Sequence, residues 1–570
     1  MSSSESQQPP PLTDEKSLEE LEGGRKNGGW LTFPFIAGNM MGLGLAWNGV
    51  NSNLIVYLIQ QLNVKSIDAT QIANIVNGCT NLAPIAGAII ADSYFGCFSV
   101  ISIATAVSML GMLLLTLSAT VRSLRPPSCR SGSNTCQSAS ITQFAVLYAA
   151  LALLAIGVGG TRFNSATIGA NQFHKAKDRN NYFNWFFFTM YIAFIAGSTL
   201  IVYVDDNVGW GWGYGVCLAA NAISMALFLI GRRYYRQVKV EGSPFTKLLC
   251  VVLAAVRKRK VAAPSGGEGY YHGGRQLAKS QYPHPQPTSS FSFFNRAALK
   301  VEGDMDETGS IAKPWRLCTV EQVEDLKALM RIIPVWSTSI LLSTPIAIQS
   351  NLTVLQALSM DRHLSPHLKV PAGSFITFAL LAAAIPLPIL DRFLYPSWQK
   401  LAGHYPTPLQ RVGLGHVLNI IGMMGFAVVE SRRLDVVHSH HLEVGPGSVT
   451  PMSAFWLVPP LILVGVGEAF HFPGQVAMYY QEFPAALRST ASAMVALLIG
   501  IGFYLSTAIT DLVRRLTTWL PNEINSGRLD NVYWTLAILG VFNYGYFLLC
   551  SKLYRYQNAP NEDIELSSSI

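Results

Sequence analysis

The sequence predicts an all-α membrane protein with twelve transmembrane helices in two six-helix bundles, and three observations carry that prediction. Charged residues make up only 13% of the 570-residue chain, and mean hydropathy is +0.30. A soluble chain would carry about a quarter charged residues. The deficit is uneven: long uncharged blocks alternate with short charged punctuation, the pattern of helices that cross a bilayer in succession. A long polar gap then divides the blocks into two equal sets.

Residues 1–29 are polar and acidic and lack the basic start and apolar core of a secretory signal, so they read as a disordered cytoplasmic tail. The first bundle, 30–231, holds spans at Trp30–Gln61, Ile72–Phe95, Val100–Thr120, Ala145–Phe173, Phe183–Val204 and Tyr214–Ile230. The second, 328–556, holds spans at Ala328–Ile348, Ala372–Leu390, Val412–Val429, Ser453–Tyr480, Ala491–Leu512 and Tyr533–Leu553, followed by a tail at 557–570. An even count puts both termini on one side.

Between the bundles, 232–327 contains RRYYRQVK and RKRK and then Gly-, Pro-, Ser- and His-rich sequence without apolar periodicity. It reads as a mostly irregular cytoplasmic linker. Its basic clusters could touch anionic membrane lipid, but a solvated linker is the favoured reading. Near its end Thr319 and Gln322 fit a capping box for the seventh span. Loop charge sets the orientation. Lys175, Lys177, Arg179, Arg392, Lys400 and Arg411 mark inside loops, Asp205 and Asp206 an outside one, while Arg122, Arg125 and Arg130 oppose. The majority places the termini in the cytoplasm. The net charge of +8 reports these loops and gives no ground for a nucleic-acid partner.

Two six-helix halves joined by a long cytoplasmic loop describe the major facilitator architecture, whose substrate site lies near the midplane between the halves. One charge stands out against that frame. Arg162 follows VLYAALALLAIGVGG, about two thirds of the way through the fourth span. At that depth an ionisable group costs at least about 2.5–3.5 kcal/mol, so it should face a bundle interior or watery cavity and have a partner. A structural ion pair between helices is the competing reading. In the second half the one deep carboxylate is Glu468, since Asp511 lies near the end of its span. His471 and Gln475 follow at three and seven residues and share its helical face. Arg162, Glu468, His471 and Gln475 are therefore the candidate substrate-binding residues. Arg162 and Glu468 are expected to face one cavity and approach in at least one state.

Other chemistry finds little support. Among eight cysteines only Cys129 and Cys136 share a short hydrophilic loop, a candidate disulfide if that loop is extracellular. His438, His440 and His441 lie near Asp435 and Glu443 in what reads as a solvated polar loop rather than a metal site. No Walker loop, nucleophile–base pair or metalloprotease motif is present, so neither an enzyme nor a cofactor is expected.

Several tracts carry a resemblance. YFNWFFF at Tyr182–Phe188, PWRLCTVEQVEDLK at Pro314–Lys327, GVGEAFHFPGQ at Gly465–Gln475, FPAALRSTAS at Phe483–Ser492 and GRLDNVYW at Gly527–Trp534 resemble the plant nitrate/peptide transporter family. This is the proton-dependent oligopeptide transporter group of the major facilitator fold, and the likeness runs from Trp30 to Tyr556. The family's first-span E-x-x-E-R motif, implicated in proton coupling, is missing. Met40 and Leu43 stand at its carboxylate positions and Gly44 at its arginine. The family's fourth-span lysine matches Arg162 and its tenth-span glutamate matches Glu468. A seventh-span histidine that contacts nitrate in one member corresponds to Ile346, and Cys97 replaces the basic residue after Asp92 and Gly96. Loss of the first-span motif, with WLTFPF before it and NSNLIVYLI after, is similar to the nitrate excretion subgroup.

The resemblance and Arg162 together imply a plasma-membrane transporter of nitrate, with chloride as a further anion, mediating low-affinity efflux by alternating access with weak or no coupling through the first helix. A proton-coupled importer of nitrate, chloride or a larger organic solute, with His471 or Glu468 as proton site, is the alternative. A non-transporting sensor or scaffold is a third reading, which an intramembrane charge pair disfavours.

Overall fold

The computed structural model describes residues 28–127, 137–173, 176–236, 244–261, 269–272, 287–301, 303–306, 315–366, 368–404, 406–442, 448–482 and 491–554. Cys129, Cys136, Lys175, Glu443 and most of FPAALRSTAS lie outside these residues.

Twelve membrane-length rods form among them. The first half contains α1 (Phe33–Leu62), α2 (Ser66–Ile90), α3 (Gly96–Thr120), α4 (Ile141–Ala170), α5 (Ala176–Ala196) and α6 (Trp210–Ile230). The second contains α7 (Val320–Leu358), α8 (Ile376–Ala384), α9 (Pro408–Ser439), α10 (Val458–Glu482), α11 (Ala491–Leu516) and α12 (Leu529–Leu553). Ten of the described helices are long and apolar enough to cross a membrane. The other two rods have local reasons to fall short. Asn39, Asn48, Asn51 and Asn53 make α1 too polar, and Pro386 and Pro388 break the rod that α8 begins. That rod resumes as a π turn at Leu390–Leu394 and a helix at Tyr395–Ala402, past the expected end at Leu390.

The starts follow sequence chemistry. Thr319 and Gln322 form the expected capping box, and Ser140 with Gln143 and Thr407 with Gln410 form two more. Each satisfies two orphan amide groups at a helix start. Because α7 begins at the cap, it runs several residues before the apolar span does.

Two features differ from expectation. Within the linker the helix Pro244–Arg257, which the sequence reading did not name, packs Val251, Ala254 and Ala255 onto Ala297, Ala298, Cys318, Val320 and Val323. Lys258 reaches Asp304 at 2.7 Å, with both side chains buried. The apolar residues of this helix recur at helical spacing, a signal the sequence reading passed over. Asp205 and Asp206 do not form the expected loop. Past a π turn at Gly197–Ile201, the chain regains helix over Val202–Asn207, and Asp205 is only 1% exposed. Similarly, α9 continues to Ser439, which puts Asp435 and His438 on its last turns.

Within the first half α1 packs on α5 and α6, α4 on α2 and α3, and α3 on α6. Within the second, α9 packs on α10 and α12, α7 on α11 and α12, and α8 on α10. The halves meet chiefly where α2 packs on α11. Among the described residues four polar links join them: Asp68–Arg514, Asn74–Asn351, Cys79–Tyr504 and Ser198–Thr377. All four lie in the half of the bundle away from the chain termini. That end also carries β1 (Met360–Asp361), parallel to β4 (Thr450–Ser453), and the small hairpin β2 (His363–Ser365) and β3 (Leu368–Lys369).

Candidate functional site

Glycine sets up the site. In the tract IGVGG, a methyl group at Gly159 would lie 2.8 Å from the Ala83 backbone of α2, and one at Gly157 2.8 Å from Ser108 Cα of α3. Both are closer than side-chain contacts allow, so three helices meet backbone to backbone just before Arg162. Gly159→Val should force α2 and α4 apart, and a lowered melting temperature with reduced flux would report it.

Beyond this junction the walls separate into a cavity between α1, α4 and α5. Arg162, Thr161, Ser165 and Val158 line it from α4, Met40, Leu43, Gly44 and Trp47 from α1, and Phe186, Met190 and Phe194 from α5. The three positions that depart from the family motif thus face the same space as Arg162. Arg162 Nη1 donates to Asn81 Oδ1 of α2 at 3.2 Å. Among the described residues lining the cavity, Arg162 alone carries a formal charge.

No ion pair joins Arg162 to Glu468 in this state. Glu468 is half-buried on α10, and both charges act electrostatically on the Tyr191 hydroxyl of α5. Tyr191 is therefore the common neighbour of the two charges. His471 and Gln475 go elsewhere, although they share the face of Glu468. The fully buried His471 ring meets His416 at 5.2 Å, and His416 in turn stacks on Phe547 of α12 at 4.9 Å. Gln475 Nε2 donates to Ser339 Oγ of α7. The structure thus gives both residues packing positions inside the second bundle, away from the Arg162 cavity. A helical face spans enough arc to meet a cavity at one turn and a neighbouring helix at the next.

Glu468 is also not the one buried acid of its half. Glu430 and Arg433, both 0% exposed, pair at 2.6 Å on α9. Gln356 and Asn525 complete their hydrogen bonds. The expected ninth span stopped at Val429, one residue short. Asn81 and Tyr191 are the site neighbours that sequence reasoning missed. A stripe of Asn74, Asn77 and Asn81 on one face of α2 was the available signal for the first.

Comparison with known proteins agrees with this architecture. The family profile described as POT family matches residues 98–526. Protein NRT1/PTR FAMILY 2.7 of Arabidopsis thaliana is 52% identical over 96% of this chain and 96% of its own, and family member 2.6 of the same plant is 50% identical. Among solved structures, an auto-inhibited POT family peptide transporter aligns with TM-score 0.67 at 17% identity, over 93% of this chain and 98% of that one. The POT family transporter PepTSo aligns with TM-score 0.68 at 15% identity, over 92% of this chain and 99% of its own. With a family match over most of its length and full-length relatives at half identity, this chain is a multi-pass membrane transporter belonging to the POT family, on the major facilitator fold.

Proposed function

We propose that this transporter carries nitrate out of plant cells across the plasma membrane by alternating access. One observation carries the reading: Arg162 is the single charge in a cavity where Met40 and Leu43 stand at the family's coupling carboxylates. A guanidinium fork suits a planar oxyanion, and one cation among apolar walls binds an anion weakly enough to release it. With no acid on α1 beside Arg162, anion movement there proceeds without the family's first-helix proton. A potential negative inside then drives the anion outward by about 2.3 kcal/mol per 100 mV. Chloride fits the same charge less selectively.

Loop charge supports a cytoplasmic placement for the tails 1–29 and 557–570 and the linker 232–327, around bundles 30–231 and 328–556. The four polar links then close the outer face, which is the inward-facing arm of the cycle. Glu468 takes Arg162 when the cavity is empty and the halves close on it, with Tyr191 passing between them. Glu468→Gln should leave anion affinity within about twofold yet slow cycling several-fold, since it removes the competitor for Arg162 at no cost in binding. Equal losses in both would remove Glu468 from this role.

A second reading rests on the cavity itself. Trp47, Phe186, Phe194, Met40 and Met190 give it apolar walls that favour an organic anion with an apolar body. Labelled-nitrate flux in proteoliposomes, with and without an imposed potential, tests the first reading. Competition by aromatic carboxylates tests the second.

A further inference from the structure

The acid that α1 lacks has a counterpart at the other end of the same bundle. The π turn at Gly197–Ile201 adds a residue to the α5 rod and rotates the helical turns beyond it, so that Asp205 turns inward between α1 and α6. Such turns recur at functional positions. Asn53 of α1, 0% exposed, donates its Nδ2 to Asp205 Oδ2 at 3.4 Å and to Asp206 Oδ1 at 3.3 Å. One amide therefore serves two neighbouring carboxylates.

The atoms left over point to a ligand. Asp205 Oδ1, Asn53 Oδ1 and the Tyr214 hydroxyl are all buried and have no hydrogen-bond partner. Asp205 Oδ1 lies against Gly213, where any side chain would overlap it. Two of these atoms are acceptors only, so the site is short of a donor rather than of an acceptor. An unpaired buried oxygen is costly, the more so on a charged group. One proton supplies what is missing. It provides a donor, and it relieves the repulsion between two adjacent carboxylates that share an amide.

We propose that Asp205, with Asp206 and Asn53, forms a proton-binding site at the end of the first bundle remote from the chain termini. The neighbours define what such a proton does. From α1 the group faces Asn53 and Tyr57, whose hydroxyl is held by Ser118 and which also feels Arg125. From α6 it faces Tyr214 and Cys217, both neutral. From its own helix it faces Asp206. Across the crevice, Arg362 and Lys369 of the second half act on Asp206. These two cations lie on the segment joining α7 to α8, so their attraction to the acid pair helps hold the halves together. Proton binding takes the pair from two negative charges to one and weakens that attraction. The proton enters from the side that Asp206 faces, where Asp206 is exposed. Acid on that side thereby eases opening of this end, independently of Arg162 and of which anion is carried.

The proposal rests on the transporter reading but not on nitrate, and its test separates the two. Full-length protein in liposomes is followed by hydrogen exchange between pH 5 and pH 8, corrected for intrinsic rates, in peptides covering 202–216 and 360–370. Exchange in the wild type should rise several-fold as pH falls. Asp205→Asn should show the high, acid-like exchange at every pH, and Asp205→Glu should restore the dependence. Asp206→Asn should raise exchange throughout, because it removes a negative charge that attracts Arg362 and Lys369. If Asp205→Asn does not fold, Asn53→Ala takes its place and should displace the midpoint of the transition. A wild type without the transition, or an Asp205→Asn protein that keeps it, overturns the site. Absent nitrate flux with the transition intact overturns the nitrate reading alone.

Discussion

Flux through the Arg162→Ala variant is expected to fall by about tenfold to a hundredfold, the effect of losing a charge-assisted contact of about 1.5–3 kcal/mol. The reason lies in the cavity lining. Every other described residue around it is uncharged, so no neighbouring cation can stand in. Arg162→Lys should retain part of the activity, because the charge survives and only the fork geometry is lost. The effect should appear in labelled-anion flux and in anion affinity together, with thermal stability preserved. Truncation leaves the uncharged Asn81 without its donor rather than a bare buried charge. Unchanged flux in Arg162→Ala would remove the anion reading at its centre.

The largest expected loss of stability lies far from that cavity, in the Glu430–Arg433 pair. Arg433→Met leaves Glu430 as an uncompensated charge inside the second bundle, and breaking a buried pair in this way costs about 3–5 kcal/mol. Asn525 suffers with it, since it loses the donor Arg433, while Gln356 still donates to Glu430. Thermal unfolding of detergent-purified protein should show a markedly lower melting temperature. Adding Glu430→Leu should recover much of the loss, because the lone charge is then gone. Recovery stays partial, as Gln356 and Asn525 remain without their partners. A single variant as stable as the wild type would show that water reaches this pair.

The contrast between Arg162 and Arg433 shows how differently sequence reports two buried arginines. Arg162 interrupts a long apolar run, so its cost and its need for a cavity are visible along the chain. Arg433 follows Glu430 by three residues in the polar tract ESRRLD, which reads as the exposed end of a span. Only the packing of α7, Ile524–Ser526 and α12 around it makes that tract an interior.

Fold class, the twelve rods, their division into two halves and the Thr319 cap were legible in the sequence. Each depends on properties of contiguous residues: run length, charge spacing and turn chemistry. The need of Arg162 for a cavity was legible too, in the apolar run it interrupts, whereas the lining of the same space by Met40, Leu43 and Gly44 was not. Other features were decided by tertiary structure alone. The break in the rod that begins with α8 and the π turn after α5 change the phase of a helix, and phase decides which side chain is buried. Asp205 thereby moved from an expected loop to a buried position under Asn53. His471 and Gln475, on one face with Glu468, were separated from it by the helices that pack beside them. Sequence sets which residues share a helix face; which neighbour that face meets at each turn depends on helices brought together from distant parts of the chain.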